Sequence, residues 1–354
     1  MIRFAIGLIV PLVASLAVSS TSRAQTATTA DSATATDTAD DATPPTKPDW
    51  AIAVHGGAGS ISEAMTPQRE AVYHAVLRRA LAAGSLVLAD GGSAVDAVEE
   101  AVRCLEDDPL FNAGRGAVAT IEGTFELDAS IMDGNGMRAG GVAGIRVASN
   151  PISVARRVMD TTGHVLLGGP QADEFAIHQG FGSVSPEYFF TPKRFEDIQK
   201  RRAKAGLPPL ENPTTRASQG TVGAVARDSG GNLAAATSTG GRSGKLSGRI
   251  GDSPIAGAGN YAENGVVAVS GTGIGEEFIR HSAAAQVAWF IKHADLSVDQ
   301  ATRRVIHEVL RPDDGGMIAL GPAGTPIWHF STKMMSRGMA AADGQIVTQV
   351  NAEP

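Results

Sequence analysis

The stretch GTVGAVARDSGGNLAAATSTGG at 220–241 places a threonine directly after a glycine, at the start of an apolar run. A threonine hydroxyl is a weak nucleophile unless a base lies beside it. Cleavage between Gly220 and Thr221 would create such a base, because the new α-amino group has an unperturbed pKa near ~8 and reaches its own hydroxyl. Gly220 can adopt strained dihedral angles that present its carbonyl to Thr221. The pair therefore predicts a self-cleaving chain, although Gly-Thr-Val alone more often marks only a strand start.

The elements that must position Thr221 follow from hydrophobic periodicity. Short apolar runs predict strands in AIAVHGGAG, TFELDASIMDG, GGVAGIRV, GTVGAVARD, NLAAATST and the hairpin GMIALGPAGTPIWHF. Runs with helical spacing predict helices in PQREAVYHAVLRRALAAG, SAVDAVEEAVRCLEDD, NPISVARRVM, GEEFIRHSAAAQVAWFIKHA and SVDQATRRVIHEVL. This order indicates helices outside and sheets inside, not a parallel βαβ series. The small apolar residues of TVGAVA and LAAAT indicate strands that are covered on both faces.

Ser93, Asn150 and Ser297 stand at predicted helix starts, where a side-chain oxygen accepts a hydrogen bond from a free backbone N–H. Between about residues 180 and 220 the apolar periodicity fails, and Pro, Lys, Arg and Ser accumulate. We interpret this stretch as a loop or linker, which becomes a flexible tail after cleavage. Its Lys/Arg-dense piece, PKRFEDIQKRRAK, is interrupted by acids and is typical of a solvated helix.

Composition limits the kinds of partner that this protein can have. The chain has 354 residues, 43% of them hydrophobic, and a formal net charge of -7. It can bury a large core, and its lack of a basic stripe argues against a nucleic-acid partner. Cys104 is the only cysteine, so we expect a buried thiol on an apolar helix face and no disulfide within the chain.

The N-terminal segment differs in kind from the rest. Residues 1–24 have Arg3 near the start, a short apolar run, and Ser22 and Ala24 where a signal peptidase requires small residues. They predict a cleaved export signal; the alternative is a retained membrane anchor, which Pro11 weakens. Residues 25–49 have the composition of a disordered spacer. We expect an exported protein, periplasmic in a Gram-negative cell, without membrane contact once the signal is removed.

Six motifs in unbroken order carry a resemblance to a known family. They are HGGAG, LEDDPLFNAGRGAV, GTVGAVA, ATSTGG, GRSGKLSGRIGDSP and VAVSGTGIGEEFIR. From Trp50 to about Phe330 the chain resembles the plant-type L-asparaginase and isoaspartyl peptidase family of N-terminal nucleophile hydrolases. The resemblance implies an α+β fold, a four-layer αββα sandwich, cut into subunits 50–220 and 221–354. It also implies a homodimer of cleaved protomers and no required cofactor.

The resemblance assigns roles to the residues around the cleavage point. Thr221 corresponds to the catalytic nucleophile, freed by cleavage after Gly220, and Thr239 corresponds to its hydrogen-bonding neighbour. Arg249 would clamp the substrate α-carboxylate and Asp252 the α-ammonium, in keeping with the affinity of a guanidinium for a carboxylate. Outside this family context, an Arg and an Asp three residues apart would be read as a structural pair.

The GTGIG motif corresponds to the family's oxyanion site. The Thr272 hydroxyl and the Gly273 backbone N–H would hold the developing oxyanion, and Gly275 would lie against the substrate. Donors fixed where charge develops contribute a few kcal/mol each, roughly, to such a step. Without the resemblance, the motif reads as a plain glycine turn before a helix.

LEDDPLFNAGRG corresponds to a family loop whose backbone carbonyls bind a monovalent cation, usually sodium. Hard oxygen donors suit this ion, although a backbone site leaves little trace in the sequence. The carbonyls that the resemblance assigns to the structural sodium ion are those of Leu105, Glu106, Asp108, Phe111, Ala113 and Arg115.

Three further features lie near the expected site. Asn112 and the HGGAG loop should be close to it, without a firm role, and His55 is expected to be a hydrogen-bonded core residue rather than a base. Relatives commonly read close to FNTEGM in what we take as the last strand, whereas this chain reads FSTKMM at 330–335. If that strand borders the pocket, the departure puts the leaving-group preference in doubt.

The resemblance implies a two-step amidohydrolase acting on small molecules. Thr221 would attack the side-chain amide of L-asparagine or the β-linked bond of an isoaspartyl dipeptide, and water would hydrolyse the resulting ester. Two alternatives stay open: a glycosylasparaginase that acts on the GlcNAc-asparagine linkage, and an exported asparagine- or aspartate-binding protein without turnover. The sequence does not decide between asparagine and isoaspartyl peptides.

Overall fold

The structure is a computed structural model and describes residues 50–59, 65–210 and 220–351. The predicted export signal and spacer lie outside the described residues. The strands are β1 (Ala51–Gly59), β2 (Leu127–Asp133), β3 (Arg138–Ile145), β4 (Leu166–Gly168), β5 (Val222–Arg227), β6 (Leu233–Thr239), β7 (Asn260–Glu263), β8 (Val267–Gly273), β9 (Gly315–Leu320), β10 (Pro326–Phe330), β11 (Met334–Ala341) and β12 (Ile346–Asn351). The helices are α1 (Pro67–Ala89), α2 (Ala94–Glu106), α3 (Pro151–Thr161), α4 (Pro170–His178), α5 (Pro186–Phe189), α6 (Pro192–Lys204), α7 (Gly275–His281), α8 (Ala283–Ala294) and α9 (Val298–Arg304).

The described strands form two sheets. The larger has the order β12-β11-β1-β5-β6-β2-β3-β4, and the smaller has the order β10-β9-β8-β7. Neighbours are antiparallel except β3 and β4. The predicted hairpins β5–β6 and β9–β10 are both present, because the SGGN and GPAGT stretches turn the chain directly back on itself.

Alternating side chains on the central strands separate the layers. On β1, Ile52 and Val54 join the core beneath α1, α2 and α3, whereas Ala51 and Ala53 face the smaller sheet. A third cluster lies between the far face of the smaller sheet and α7, α8 and α9. The layers are therefore helix, sheet, sheet and helix, so the predicted α+β four-layer αββα sandwich is confirmed. Small residues such as alanine at the sheet–sheet interface let the two sheets pack closely.

Helix boundaries follow their caps, with two corrections. Ser93 and Ser297 accept the expected backbone hydrogen bonds, and Ser297 completes a capping box. Asn150 is not a side-chain cap, since its Nδ2 donates to Asp107 Oδ1 at 2.9 Å instead. The predicted helix GEEFIRHSAAAQVAWFIKHA is two helices, because Ser282 adopts a left-handed conformation (φ 48°) between α7 and α8.

The interpretation of residues 180–220 as a loop or tail is wrong for α5 and α6, whereas the expected helix in PKRFEDIQKRRAK is confirmed as α6 but packs on the domain. Phe189 and Ile198 are buried in the main core. Arg194 is also buried, and its Nε donates to the Gly116 carbonyl at 2.5 Å. Apolar periodicity failed here because α6 uses charged side chains, rather than apolar ones, for much of its contact with the domain. Residues 211–219 lie outside the described residues.

The chain does not close with the β9–β10 hairpin as expected. It continues into β11 and β12, and β11 lies beside β1 in the larger sheet. FSTKMM is not a single strand: Ser331, Thr332 and Lys333 form the connection by which the chain passes from the smaller sheet to the larger. Polar residues suit this connection, which replaces the last strand expected from the sequence.

The structure also shows how the most apolar helix and the single cysteine are buried. Among the described residues, α1 is the one helix long and apolar enough to cross a membrane. It packs on α2, β1 and β11 and buries Leu77 and Leu81 completely, as the core helix of a folded domain does. Cys104 is only partly buried, against the edge of the same core.

Candidate active site

Thr221 lies directly before β5, opposite the last residue of β6. The antiparallel register pairs Val222 with Ser238, so the next pair along the ladder is Thr221 and Thr239. The Thr221 hydroxyl donates to Thr239 Oγ1 at 3.0 Å, and Thr239 Oγ1 also accepts from the Gly241 N–H at 2.9 Å. Strand pairing, rather than loop packing, therefore holds the two hydroxyls together.

The carbonyl before Thr221 is held by two neighbouring loops. Gly220 has φ +103°, a conformation that disfavours residues with a side chain. A Cβ on Gly57 of the HGGAG motif would lie 2.2 Å from the Gly220 Cα, so that motif packs directly on the Gly220–Thr221 bond. On the other side, the Asn112 backbone N–H donates to the Gly220 carbonyl at 3.0 Å.

Asn112 also connects two parts of the site with its side chain. Its Nδ2 donates to the Gly241 carbonyl at 2.6 Å, and its Oδ1 accepts from the Val118 N–H at 2.9 Å. Its own carbonyl accepts from the Gly240 N–H at 3.0 Å. As expected, Asn112 lies beside the candidate nucleophile, and it fixes the start of the loop that follows Thr239.

Thr272 and Gly273 end strand β8 of the smaller sheet and reach the same pocket. Thr272 is nearly fully buried, and its Oγ1 accepts from the Ala58 N–H at 3.2 Å. A Cβ on Gly273 would lie 2.0 Å from the Asp314 carbonyl oxygen, so only glycine lets β8 approach that loop. The site is thus built across both sheets.

Arg249 is mostly buried and is oriented by a carboxylate that the sequence reasoning missed. Its Nε and Nη2 donate to the two oxygens of Glu276 at 3.1 and 3.0 Å. Glu276 is the second residue of α7, directly after Gly275. The sequence contained only a weak signal for this contact, an acid at the start of the helix GEEFIR, because Glu276 lies 27 residues from Arg249 in the chain.

Asp252 is a buried carboxylate at the edge of this pair. It is 6% exposed, and its Oδ2 has no hydrogen-bond partner among the described residues. Burial raises the pKa of Asp252 to about 7. A Cβ on Gly275 would lie 2.5 Å from Asp252 Oδ1 and 3.0 Å from Arg249 Nη2. Gly275 therefore leaves open the space in front of both charged groups.

Buried charges hold the loop that carries Arg249 and Asp252. Asp128 on β2 accepts from the Gly251 N–H at 3.3 Å, and burial raises its pKa. Lys245 Nζ donates to the Glu126 carbonyl at 2.7 Å, and burial lowers its pKa. Because a buried charge without partners is costly, these contacts tie the loop firmly to β2.

A buried polar chain runs behind the threonine pair. His55 Nε2 lies 2.9 Å from Ser270 Oγ, which lies 2.7 Å from Thr237 Oγ1. Burial lowers the pKa of His55 to about 3, an effect that the backbone of Thr221 partly opposes, so the ring is neutral at ordinary pH. His55 is a hydrogen-bonded core residue, as expected. The Ser and Thr partners looked like ordinary strand residues in the sequence.

The loop expected to bind a cation is compact, and glycines let its carbonyls approach the turn. A Cβ on Gly116 would lie 2.0 Å from the Phe111 carbonyl oxygen, and one on Gly114 would lie 2.4 Å from that of Glu106. The Ala113 carbonyl accepts from the Gly116 N–H at 3.1 Å, which leaves its second lone pair free for another partner. Crowded backbone oxygens of this kind fit a hard monovalent cation.

The Glu106 side chain serves a structural purpose beside this loop. It is completely buried, and its Oε1 accepts from Ser238 Oγ at 2.6 Å and from the Ile152 N–H at 3.1 Å. Burial raises the pKa of Glu106 to about 8, so the carboxyl is mostly neutral at pH 7. The contact links α2 and α3 to β6, one residue before Thr239.

The expected residues meet around one pocket of about 580 Å³. Thr239, Asp252 and Gly275 lie directly behind its wall through the contacts above. The sequence reasoning missed the charged residues that α6 adds to the lining, because it took that helix as solvated. The residues of the expected set that line the pocket are Asn112, Gly220, Thr221, Arg249, Thr272 and Gly273.

Comparison with known proteins assigns the chain to a family. The asparaginase family model matches residues 48–350. An isoaspartyl peptidase of Salmonella typhimurium is 47% identical over 309 residues, which cover 85% of this chain and 98% of the relative. One from Escherichia coli is 46% identical over 85% of this chain and 96% of the relative. A human isoaspartyl peptidase/L-asparaginase is 40% identical over 83% of this chain and 94% of the relative. With its four-layer sandwich and the threonine pair at the head of β5, this chain belongs to the asparaginase family of N-terminal nucleophile hydrolases.

Proposed function

We propose that this hydrolase is a self-cleaving isoaspartyl peptidase and L-asparaginase with Thr221 as its nucleophile. The observation that carries the proposal is the Thr221 hydroxyl, 3.0 Å from Thr239 Oγ1, in the pocket that Arg249 lines. The Salmonella relative is named an isoaspartyl peptidase and the human relative an isoaspartyl peptidase/L-asparaginase, which supports the same substrate class. The family membership and the geometry thus point to one chemistry.

Self-cleavage would begin within the intact chain. Thr221 Oγ attacks the Gly220 carbonyl carbon, and its proton leaves through the hydrogen bond to Thr239. The Asn112 N–H, 3.0 Å from the Gly220 oxygen, stabilises the charge that develops there. The C–N bond breaks, the Thr221 nitrogen takes up a proton, and an ester forms. Water then hydrolyses the ester to give chains that end at Gly220 and begin at Thr221.

Substrate hydrolysis would use the freed α-amino group as base. Thr221 Oγ attacks the side-chain carbonyl of the aspartyl group, while the Thr272 hydroxyl and the Gly273 N–H hold the oxyanion. Ammonia leaves from asparagine, and an amino acid leaves from a β-aspartyl dipeptide. Water then hydrolyses the β-aspartyl ester and restores the threonine hydroxyl.

Arg249 and Asp252 would select the free aspartyl end. The guanidinium of Arg249 pairs with the α-carboxylate, and the carboxylate of Asp252, whose buried Oδ2 has no partner among the described residues, accepts from the α-ammonium. A buried carboxylate oxygen without a partner is costly, which makes an ammonium ligand favourable at this position. Both substrates carry these two groups, so one pocket serves both.

A sodium ion bound by the carbonyls of the 105–115 loop would supply positive charge that offsets their mutual repulsion. The loop includes Asn112, which donates to Gly220 and to Gly241. Through these hydrogen bonds, Asn112 orients the Gly220 carbonyl, which Thr221 attacks in self-cleavage, and the start of the loop that follows Thr239. The ion would have a structural effect, and it would take no part in the chemical steps.

Intact mass and N-terminal sequencing of the purified protein, after a day at neutral pH, test the proposal. We expect two chains, one of them beginning TVGAVA, and hydrolysis of β-aspartyl dipeptides and L-asparagine. Thr221→Ala should remain uncut and inactive, with Thr332→Ala as a control at the pocket rim that cleaves normally.

Three outcomes would contradict the proposal. A cut and active Thr221→Ala protein would exclude Thr221 as the nucleophile. Activity on GlcNAc-asparagine without activity on β-aspartyl dipeptides would indicate a glycosylasparaginase. Aspartate binding by an uncut chain without turnover would indicate a binding protein.

A further inference from the structure

Five cationic side chains line the pocket around Thr221, and three of them make hydrogen bonds of 3.1 Å or shorter. Arg194 donates to the Gly116 carbonyl, Lys245 to the Glu126 carbonyl and Arg249 to Glu276. Arg194 and Lys245 are also buried, so they hold the wall rather than meet a ligand. The cationic residues that line the pocket are Arg194, Arg201, Arg242, Lys245 and Arg249.

Arg242 and Arg201 differ from these three residues because their side chains are exposed. The Arg242 side chain is 60% exposed, and its ion pair with Glu276 is long, at 3.5 Å. Glu276 already accepts two shorter hydrogen bonds from Arg249, at 3.0 and 3.1 Å. Arg201 lies exposed on α6, one helical turn after Asp197. Arg242 therefore keeps most of its hydrogen-bonding capacity for a ligand, and Arg201 adds positive charge that Asp197 partly offsets.

The two arginines belong to surfaces that pack against each other. A Cβ on Gly244 would lie 2.8 Å from Arg201 Cδ, so α6 rests directly on the 241–245 loop. This loop begins at Gly241, whose N–H is bonded to Thr239 at 2.9 Å. Arg242 thus follows immediately after the backbone that supports the nucleophile pair. The acidic residues that line the pocket are Asp197, Glu276, Asp313 and Asp314. Asp313 lies on a different loop from Arg242.

The substrates differ in the charge of their leaving groups. Ammonia, released from asparagine, has no carboxylate. An amino acid released from a β-aspartyl dipeptide carries an α-carboxylate on the carbon next to the departing nitrogen. Arg249 and Asp252 are occupied by the aspartyl end of either substrate, so a carboxylate on the leaving side meets the remaining cations. A guanidinium forms charge-assisted hydrogen bonds with such a carboxylate.

We propose that Arg242, with Arg201 beside it, binds the α-carboxylate of the amino acid that leaves from a β-aspartyl dipeptide. The inference rests on the proposed function and deepens it. It makes β-aspartyl dipeptides with a free C-terminus the better substrates of this pocket, relative to asparagine or to dipeptides with a blocked C-terminus. Because α6 precedes the cleavage point, the site uses residues from both cleaved chains.

Two substrates that differ only in this carboxylate test the inference: β-aspartyl-leucine and β-aspartyl-leucinamide. The quantity measured is the ratio of their kcat/KM values. Both carry the same aspartyl end, so any disturbance of Arg249 through Glu276 cancels in the ratio, as does the fraction of active enzyme. An exposed ion pair contributes only a modest interaction free energy. We therefore expect the ratio to fall about threefold in Arg242→Gln and about fivefold in Arg242→Gln/Arg201→Gln, relative to the wild type.

A surface variant controls for the loss of charge itself. Arg303→Gln removes the same charge from exposed α9, outside the pocket lining, and should leave the ratio unchanged. An equal fall in Arg303→Gln, or a ratio that changes less than twofold in the double variant, overturns the inference. A cleaved wild-type protein that hydrolyses neither dipeptide nor asparagine refutes the proposed function itself. Hydrolysis with a ratio insensitive to both arginines refutes only the leaving-group site.

Discussion

At the scale of single residues, the candidate site contains groups whose pKa values are shifted by burial. Burial raises the pKa of Asp252 to about 7 and lowers that of His55 to about 3. The raised pKa means that burial destabilises the ionised carboxylate of Asp252, so a cationic ligand beside it would stabilise that form. The lowered pKa of His55 keeps this histidine neutral next to the threonine pair, so the protein does not depend on it as a proton carrier.

Asp252 predicts a pH dependence of substrate capture. Above about pH 7 its carboxylate is ionised and can bind the substrate α-ammonium; below that pH it is protonated and cannot. We expect kcat/KM of the wild type to fall below pH 7 more steeply than that of Asp252→Asn, by about tenfold per pH unit. At pH 8 the variant should be about 100-fold slower in kcat/KM, because it loses a charged hydrogen bond.

The measurement is kcat/KM for a β-aspartyl dipeptide between pH 5.5 and 8.5, with Asp173→Asn as the control. Asp173 is another carboxylate whose pKa burial raises, but it lies on α4, outside the pocket lining. Parallel pH profiles for the wild type and Asp252→Asn would show that Asp252 is not the titrating group.

At the scale of elements, the site forms where strand ends meet glycine loops. β5 and β6 bring the two threonines together by register, whereas the end of β1, which carries HGGAG, packs on the Gly220–Thr221 bond. α6 then covers the 241–245 loop from outside. The contact between Gly57 and Gly220 needs a close approach of two backbones, which a side chain on either residue would prevent.

Gly57 tests the importance of this approach for maturation. It has φ +106°, and a Cβ there would lie 2.2 Å from the Gly220 Cα. We expect Gly57→Ala to slow self-cleavage at least about tenfold and to lose roughly 1–3 kcal/mol of unfolding free energy, through strain and displacement of Gly220. Cleavage is followed on denaturing gels, and stability by urea unfolding.

Gly136→Ala is the matched control for Gly57→Ala. Gly136 also has a positive φ, +76°, but a Cβ there would meet nothing within 4 Å. It should lose about 1 kcal/mol of stability through backbone strain and still cleave at the wild-type rate. If both variants cleave equally well, the contact between Gly57 and Gly220 does not matter for maturation.

At the scale of the whole molecule, the proposed cleavage point divides strands that alternate in one sheet. In the larger sheet, β1 from the first fragment lies between β11 and β5 of the second, and β2 of the first lies beside β6 of the second. Separating the fragments would break three ladders of backbone hydrogen bonds and open the core beneath α1 and α2. Cleavage therefore leaves the fold intact.

This arrangement predicts that the two chains stay together after cleavage. Native mass spectrometry should detect both fragments in one particle, and only denaturant should separate them. We propose that this particle contains two cleaved protomers, which the same measurement reads from its mass. Free fragments under native conditions would contradict the shared sheet, and a mass of one cleaved protomer would contradict the proposed dimer.

Export is the remaining proposal at this scale. Residues 1–24 have the pattern of a cleaved signal, and we propose that the protein acts outside the cytoplasm. Mass analysis of protein recovered from the producing cells would reveal whether a segment of about this length is removed. A retained N-terminus would instead favour the membrane-anchor alternative.

The sequence by itself determined the layers and most of the candidate site. The continuous runs of small apolar residues in β5 and β6 require cover on both faces, and caps such as Ser93 and Ser297 mark helix starts through local hydrogen bonds. The Gly220–Thr221 pair and the GRIGDSP motif are each contiguous in the chain, so short windows carried the family resemblance, and the resemblance assigned their chemistry. These features depend on neighbours in sequence, which a pattern can record.

The tertiary structure alone decided the contacts between distant segments. The salt bridge between Glu276 and Arg249, the hydrogen bond from Asn112 to Gly220 and the placement of α6 over the 241–245 loop all join residues far apart in the chain. The sequence predicted α6 as a solvated helix but not its packing against the domain, because α6 buries Arg194 against a backbone carbonyl instead of burying a long apolar stripe. The raised pKa of Asp252 likewise has its cause in burial, a property of the folded chain and not of its local sequence.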